Sequence, residues 1–433
     1  MKVGLVSLGC AKNQVDSEQM LYMLRQAGHE IVHDEKAAEA IVVNTCGFID
    51  PAKEESIDAI LHAAAMKTEG VCRKVFVTGC LAQRYGSQLM AEMPEIDGLI
   101  GVEHYNDFIA AFNDTLDGQR VALTSRTRES HECGRILTTP SFSAYVRIAE
   151  GCDNRCAYCA IPLIRGGYRS RDRENILSEM AELARGGARE QILIAQDTSR
   201  YGRDRGEKDG LLRLMQDASR IEGIDWLRVL YLYPEDVTDE LVDGLAALPK
   251  VCKYLDVPLQ HSAPRMLRAM NRRGDIDKIE KTLLRAREKG FALRTTFIVG
   301  FPGETEEDFE ALCDFTRRVA FDRMGAFAYS PEEDTPGASM PDQVPEEEKQ
   351  RRLDRLMTLQ ADISLRRNRQ RIGQVCPLLV CEDRGGESAC RSPWEAPDAD
   401  GLVLLRGRYA PGQMVQGKIT GADTYDLTAE AAD

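Results

Sequence analysis

Short apolar runs alternate with helical patterns along the first part of the chain. Residues 3–8, 41–44 and 75–78 are predicted strands, and residues 17–27, 51–66 and 81–93 are predicted helices. Strands that alternate with helices form parallel βαβ units, so residues 1–120 are predicted to be a parallel-sheet α/β domain. The periodicity fades over residues 121–143, which are rich in Ser, Thr and charge and are predicted to be a linker.

A second series of strands and helices follows. Its six predicted strands are residues 144–149, 191–195, 227–233, 254–258, 295–299 and 326–329. Six units are fewer than a complete (β/α)8 barrel requires, so residues 144–344 are predicted to form an incomplete (β/α)6 barrel. The charge-dense residues 345–371 are predicted to be a connecting helix whose charges are mostly solvated. Residues 372–433 have short apolar runs separated by Gly and Pro, which predicts a small all-β barrel.

The composition limits the partners and the compartment. The chain has 56 Lys and Arg against 70 Asp and Glu, a net charge of −14, so it is a poor general binder of the phosphate backbone. No apolar run is long enough to cross a bilayer, and the first residues lack a signal-peptide pattern. We therefore expect a cytoplasmic protein with no membrane partner. In that reducing compartment the 13 cysteines are not a disulfide framework.

Three cysteines share one short loop, GCDNRCAYC, directly after the first strand of the second series. Cys152, Cys156 and Cys159 have the spacing C-x3-C-x2-C. Three thiolates can bind three irons of a 4Fe–4S cluster and leave the fourth iron free to bind S-adenosylmethionine. A structural zinc site needs a closed set of four ligands, and no fourth Cys or His lies nearby in the sequence. We therefore predict a cluster that cleaves S-adenosylmethionine to form a radical.

Three further cysteines each follow one of the first three predicted strands. Cys10, Cys46 and Cys80 end the segments VGLVSLGC, AIVVNTC and KVFVTGC. The carboxyl ends of parallel strands line the crevice in which open α/β sheets bind ligands. The three thiols can therefore converge as ligands of a second cluster. The alternative that spacing leaves open is three buried cysteines at strand ends.

Other residues near predicted strand ends are candidates for binding the cofactor. Gly300 and Gly303 would let the backbone approach a ligand closely, although an ordinary βα turn explains them equally well. Gln196 and Gln260 would point into the barrel mouth, and Tyr158 lies between two cysteines of the loop. A run of arginines also follows this loop: Arg165, Arg169, Arg171 and Arg173. Such a run is either a solvated face or a set of contacts to a carboxylate.

The whole chain resembles the methylthiotransferase family of the radical S-adenosylmethionine superfamily. The C-x3-C-x2-C loop is similar to that of the superfamily, and a three-cysteine domain before it and a small TRAM-like barrel after it complete the family architecture. The resemblance implies two 4Fe–4S clusters, one at each cysteine set, with S-adenosylmethionine as cofactor. It also implies insertion of sulfur at an unactivated carbon and methylation of that sulfur, which require a low-potential electron donor and a sulfur donor.

Two branches of this family differ in substrate. One modifies an adenosine of transfer RNA, and the other, the RimO type, modifies the β-carbon of an aspartate in ribosomal protein S twelve. The segments VSLGCAKNQVDSE, CAIPLIRGGYRSR and TFIVGFPGETEEDF resemble the RimO type, whereas the motifs YGCQMN and VPYTRG of the transfer-RNA branch are missing from the sequence. Residues 370–433 contain six Arg or Lys and ten Asp or Glu, a net of −4, which suits a basic protein better than RNA.

The predicted function is therefore methylthiolation of ribosomal protein S twelve, either free or on the small ribosomal subunit, with nucleic acid not the primary substrate. Three alternatives stand beside it. They are methylthiolation of a transfer-RNA adenosine, a non-catalytic iron–sulfur binding module, and a zinc-stabilised binding protein.

Overall fold

The computed structural model describes residues 1–127 and 132–432. Residues 128–131 of the predicted linker and residue 433 of the predicted barrel lie outside the described residues. The described chain forms an N-terminal α/β domain, a central open barrel, a long connecting helix and a small closed barrel, which confirms the predicted fold class.

The N-terminal domain is a parallel sheet with helices on both faces. Its strands are β1 (Lys2–Ser7), β2 (Glu30–Ile31), β3 (Ala40–Thr45), β4 (Lys74–Gly79), β5 (Gly98–Ile100) and β6 (Val121–Leu123). Its helices are α1 (Ala11–Gln26), α2 (Asp50–Glu69), α3 (Cys80–Glu92) and α4 (Phe108–Leu116). The strand order is β2-β1-β3-β4-β5-β6. One apolar cluster joins α1 and α4 to one face of the sheet, and a second joins α2 and α3 to the other.

Two features of this domain differ from the prediction. Helix α1 begins at Ala11 rather than at residue 17, because its first turns bury polar residues against the central domain and so lack an apolar stripe. Strand β6 lies in the stretch predicted to be a linker and pairs with β5, so the sheet extends past residue 120. The short strands β2, β5 and β6 and the nine-residue helix α4 were not predicted from the sequence.

The central domain is an open barrel of six parallel strands. The strands are β7 (Ser143–Arg147), β10 (Glu190–Ile194), β11 (Trp226–Val229), β12 (Tyr254–Asp256), β13 (Ala292–Val299) and β14 (Arg323–Ala328). A short antiparallel ribbon adds β8 (Ala149–Glu150) and β9 (Arg169–Ser170). The six barrel strands form two sheets, β11-β10-β7 and β12-β13-β14, and a single bridge between Leu227 and Val251 joins them. The barrel edges are β7 and β14.

Seven helices accompany these strands in the described residues. They are α5 (Ile161–Arg165), α6 (Arg173–Arg185), α7 (Gly210–Ala218), α8 (Asp239–Ala246), α9 (Pro264–Ala269), α10 (Ile276–Glu288) and α11 (Glu306–Val319). The apolar faces of α6, α7, α8, α10 and α11 pack on the strands in the largest apolar cluster of the chain. Thr305 caps α11 through a reciprocal hydrogen-bond pair with Asp308, so the helix begins at Glu306.

The connecting helix α12 (Glu346–Arg369) packs against β14 and α11. Most of its charged side chains are exposed or partly exposed, as predicted, but Lys349 and Arg352 are buried. The guanidinium of Arg352 binds the buried carboxylate of Glu304 at 2.7 Å. A helix that docks through ion pairs has the same sequence pattern as a solvated helix, so the sequence could not distinguish them.

The C-terminal domain is a closed barrel with the strand order β15-β16-β17-β19-β18. Its strands are β15 (Val375–Asp383), β16 (Glu387–Arg391), β17 (Val403–Arg406), β18 (Met414–Ala422) and β19 (Leu427–Ala431). It docks on the central domain through Arg391, which binds the buried Glu190 of β10. Among the helices of residues 1–127 and 132–432, none has the length and apolar character of a membrane span.

Candidate active site

The three N-terminal cysteines lie at the carboxyl edge of the parallel sheet. Cys10 is the N-cap of α1, Cys46 follows β3, and Cys80 is the first residue of α3. Strands β1 and β3 are neighbours whose following helices pack on opposite faces, so Cys10 and Cys46 flank the switch point at which such sheets bind ligands. Cys10 and Cys80 thus both lie at the positive end of a helix dipole.

Two glycines let these strand ends come together. Gly79 has φ +99°, and a Cβ there would lie 2.3 Å from the carbonyl oxygen of Thr45. Gly9 has φ +91°, and a Cβ there would lie 3.1 Å from the sulfur of Cys46. Any side chain at either position would therefore separate the cysteine-bearing segments.

Arg165 connects the N-terminal cysteines to the central domain. It is buried at the end of α5, six residues after Cys159 in the sequence. Its guanidinium donates to the side-chain oxygen of Asn13 at 2.6 Å and lies 3.5 Å from the sulfur of Cys80. It also binds the buried carboxylate of Asp16 at 2.9 Å. The segment that carries one cysteine set is thus bonded to the segments that carry the other.

Two of the remaining arginines of the predicted run pair with carboxylates, whereas Arg169 donates to the carbonyl oxygen of Gly167 at 3.2 Å. Arg171 is buried and binds Glu132 at 2.5 Å and Glu179 at 2.8 Å. Arg173 pairs with Glu207 at 3.1 Å. The carboxylates that these side chains contact are the protein's own, so they hold the fold.

Arg272 lies beside the C-x3-C-x2-C loop. Its guanidinium is 3.7 Å from the sulfur of Cys156, 3.1 Å from the hydroxyl of Tyr158 and 4.3 Å from the ring centre of Tyr233. Burial acts to lower the pKa of Arg272, but Tyr158 and Cys156 raise it overall. A fixed positive charge therefore faces this cysteine set.

All six predicted ligands line one cavity of about 480 Å³. Tyr158, Gln196 and Gln260 line it as well. Gly300 and Gly303 are not among its lining residues. A Cβ at Gly300 would lie 2.3 Å from Lys349 of α12, so this glycine permits the approach of the connecting helix.

Several lining residues were not singled out from the sequence, and these are Lys12, Asn13, Tyr231, Tyr233 and Arg272. Lys12 and Asn13 directly follow the Cys10 motif, and their proximity to a predicted ligand was the one available signal. The predicted strand 227–233 contained Tyr231 and Tyr233, but β11 ends at Val229, so both lie on the loop beyond it. Arg272 lies on the loop between α9 and α10 and carries no local signal that separates it from other loop residues.

The thiols require a positively charged partner to become thiolates. Burial raises the pKa of Cys80 to about 12 against the lowering effect of Arg165, and Cys10 and Cys46 contribute to the rise. Burial likewise raises the pKa of Cys152 to about 11. Burial and the neighbouring Cys156 raise the pKa of Cys159. Thiolate is the form that binds iron, and cationic iron stabilises it, so this donor set fits iron–sulfur clusters.

Within the described ranges, no three Cys, His, Asp or Glu side chains form a group that could hold one metal ion. In a 4Fe–4S cluster each thiolate binds a different iron, so its ligands lie farther apart than the ligands of a tetrahedral zinc ion.

Known proteins match this chain along its whole length. A protein of Pelotomaculum thermopropionicum named ribosomal protein uS12 methylthiotransferase RimO is 49% identical over 440 residues, which cover 99% of each chain. A protein of the same name from Heliobacterium modesticaldum is 46% identical and is matched over 100% of this chain and 95% of its own. The chain belongs to the RimO family of methylthiotransferases. RimO proteins are radical S-adenosylmethionine enzymes, so the chain is an enzyme that uses S-adenosylmethionine and 4Fe–4S clusters.

Domain families and solved structures agree with this membership. Residues 2–101 match the uncharacterized protein family UPF0004, residues 146–316 match the radical SAM superfamily, and residues 372–432 match the TRAM domain. The fold is similar to that of TsrM, a radical S-adenosylmethionine methyltransferase from Kitasatospora setae, with a TM-score of 0.55 at 15% identity over 78% of this chain and 77% of that chain. The radical enzyme OxsB has a TM-score of 0.53 at 13% identity over 83% of this chain and 56% of its own.

Proposed function

We propose that this chain methylthiolates the β-carbon of an aspartate in ribosomal protein uS12 by radical S-adenosylmethionine chemistry. The observation that carries the proposal is the single cavity lined by both cysteine sets. Bound there, the clusters and S-adenosylmethionine would supply the sulfur and methyl groups to be added and a 5′-deoxyadenosyl radical. Such a radical can take a hydrogen from a carbon that is too weakly acidic for a side-chain base. A shared cavity brings the activated carbon to the sulfur without passage through solvent.

The chain's own residues join the two cysteine sets and give this cavity apolar walls. Arg165 bonds the loop segment to the N-terminal domain through Asn13 and Asp16, so the distance between the two cysteine sets is fixed. Apolar side chains complete the walls: Phe48, Ile49, Ile161, Ile164 and Leu232. Exclusion of water and of solvent-borne hydrogen donors protects a reactive radical from side reactions.

The acidic C-terminal barrel supports a basic protein as substrate. Its net charge of −4 over residues 370–433 opposes binding to the phosphate backbone of transfer RNA. Ribosomal proteins are cytoplasmic, so we place the reaction in the cytoplasm. Its chemistry requires a low-potential electron donor and a sulfur donor, which remain proposed partners.

A deletion strain tests the substrate directly. We expect mass spectrometry to find uS12 without the methylthio group in the deletion strain and with it after complementation, while the transfer RNA is unchanged. Loss of a methylthio group from transfer RNA, with uS12 unaffected, would refute the proposal in favour of the other branch of the family.

Cysteine variants test the assignment of the two clusters. Replacing Cys152, Cys156 and Cys159 by Ala should remove about half of the iron and abolish formation of 5′-deoxyadenosine after anaerobic reconstitution. Replacing the N-terminal set, Cys10, Cys46 and Cys80, should also lower the iron content but spare 5′-deoxyadenosine and abolish methylthiolation. Cys313→Ala is the matched control, because this buried cysteine lies in the barrel core away from the cavity. Unchanged iron in either triple variant would contradict the corresponding assignment.

A further inference from the structure

Lys12 is a buried cation without an acidic partner. Its side chain is in the first turn of α1, and the residue is only 9% exposed. Its ammonium nitrogen lies 3.5 Å from the ring centre of Tyr231 and 3.4 Å from the carbonyl oxygen of Ala195. Among the described residues it forms no ion pair, and the carboxylates of Asp16 and Glu150 pair with arginines. Buried lysines are rarely left in this state, because burial of an unpaired charge is costly.

Tyr231 is held in an unusual conformation to meet this lysine. Its φ is +63°, in the left-handed region that non-glycine residues seldom adopt. Its amide donates to the carboxylate of Asp256 at 3.0 Å, and its carbonyl accepts from the amide of Thr198 at 3.0 Å. Backbone strain of this kind is concentrated at functional sites, where surrounding contacts maintain it.

The Lys12–Tyr231 pair lies where two cavities adjoin. The larger cavity, of about 690 Å³, lies between the N-terminal domain, the central barrel and residues 396–399 of the C-terminal barrel. Gly9, Cys10 and Tyr231 line both this cavity and the six-cysteine cavity. The two cavities therefore meet beside Tyr231, and Lys12 lines the six-cysteine cavity.

We propose that Lys12 binds the carboxylate of the substrate aspartate, which enters past Tyr231 from the larger cavity. The proposal rests on the proposed function and names the residue that selects its substrate. An aspartate supplies the acidic partner that the ammonium lacks, and the unpaired first-turn amides of α1 add to the attraction for an anion. A neutral base or amide would leave the ammonium buried and unpaired, so Lys12 discriminates against it.

The carboxylate of S-adenosylmethionine is the other anion that this cavity must receive. Arg272 and Tyr158 lie beside the C-x3-C-x2-C loop, where the open iron of that cluster would bind this cofactor. Lys12 instead lies two residues from Cys10, in the opposite cysteine set. Arg272 would thus serve the cofactor and Lys12 the substrate, while Arg165, the third cation that lines the cavity, already pairs with Asp16.

A double-mutant cycle in binding tests this assignment. The reconstituted enzyme is titrated with uS12 and with a uS12 variant whose target Asp is replaced by Asn. S-adenosylmethionine is present and reductant is left out, so that no turnover occurs. We expect the wild-type enzyme to bind the Asp form about 10- to 100-fold more tightly, the range of one charge-assisted hydrogen bond. Lys12→Met should bind both forms equally, and Lys12→Arg should restore part of the preference.

Lys253→Met is the matched control. Its ammonium also lies near an aromatic ring, 5.2 Å from that of Phe291, and donates to the carbonyl of Ala246 at 2.6 Å, but it lines neither cavity. This variant should keep the full preference for Asp. Iron content and the Kd for S-adenosylmethionine of each variant show whether its site is intact.

Two results would overturn the assignment. The first is a Lys12→Met enzyme that keeps the preference for Asp; if it also loses affinity for S-adenosylmethionine, Lys12 serves the cofactor instead. The second is a wild-type enzyme that modifies uS12 yet binds the Asp and Asn forms equally. A wild-type enzyme that neither binds nor modifies uS12 would instead refute the proposed function, and the role of Lys12 with it.

Discussion

Glu190→Gln is expected to loosen the C-terminal barrel from the central domain. Glu190 is fully buried on β10 and binds Arg391 of the barrel at 2.5 Å and Arg228 of β11 at 3.2 Å. Glutamine keeps the shape of the side chain but removes its charge. Two buried guanidinium groups would then face a neutral amide, which is strongly unfavourable in a site without water.

The magnitude follows from the charge state of this carboxyl group. Burial by itself would raise the pKa of Glu190, but Arg391 and Arg228 lower it from 4.5 to about 2. That difference corresponds to about 3 kcal/mol of stability at neutral pH. Because the folded-state pKa is the lower one, this stability is present above about pH 4.5 and is lost as the pH falls toward 2. The variant should therefore be less stable than the wild type at pH 7, and the difference should shrink below pH 4.5.

Tryptophan fluorescence during urea denaturation measures this effect at the right place. The chain has two tryptophans. Trp226 is the register partner of Glu190 in the sheet, and Trp394 follows Arg391 closely in the barrel. Glu348→Gln is the matched control. Hydrogen bonds from Arg351 also lower the pKa of Glu348 to about 2, but solvent screens this surface carboxylate. The substitution should therefore cost less than about 1 kcal/mol in the free energy of unfolding. Equal effects of the two substitutions, or a Glu190→Gln effect that persists unchanged at pH 3, would refute the reasoning.

Three further predictions concern the cluster sites. Arg165→Met should cost about 3–5 kcal/mol in urea denaturation, because it leaves Asp16 with one buried partner fewer; a loss below 1 kcal/mol would show that the two cysteine sets are held together by other contacts. Gly79→Ala should sharply lower the iron content of the enzyme, since the new Cβ would lie 2.3 Å from a carbonyl oxygen. The control Gly118→Ala, with φ +93° and open space around the residue, should leave the iron content of the enzyme unchanged. Arg272→Gln should make the reduction potential of the nearby cluster more negative by on the order of 50 mV, because it removes a positive charge 3.7 Å from the sulfur of Cys156. A redox titration followed by electron paramagnetic resonance measures this potential, and an unchanged value would contradict the role of Arg272.

The sequence by itself determined the candidate chemistry and the layout of the domains. The predicted ligands Cys152, Cys156 and Cys159 share one loop, so their convergence follows from chain connectivity alone. The positions of Cys10, Cys46 and Cys80 after apolar runs sufficed to place them at one edge of a sheet, because parallel strands all end on the same side. These inferences depend on local periodicity and short spacing, and both can be seen in a linear sequence.

Only the tertiary structure decided how the two cysteine sets meet and which polar residues serve them. The junction depends on contacts between segments far apart in the chain, such as Arg165 with Asn13 and Asp16. Polar residues in such segments have the sequence pattern of a solvent-exposed surface. The sequence therefore did not predict the start of α1 or the burial of Lys12. Gly300 shows the converse, since a glycine at a strand end has the same local pattern whether it approaches a ligand or a helix. Burial of charge is compensated by partners from other domains, and no local pattern records which partner that is.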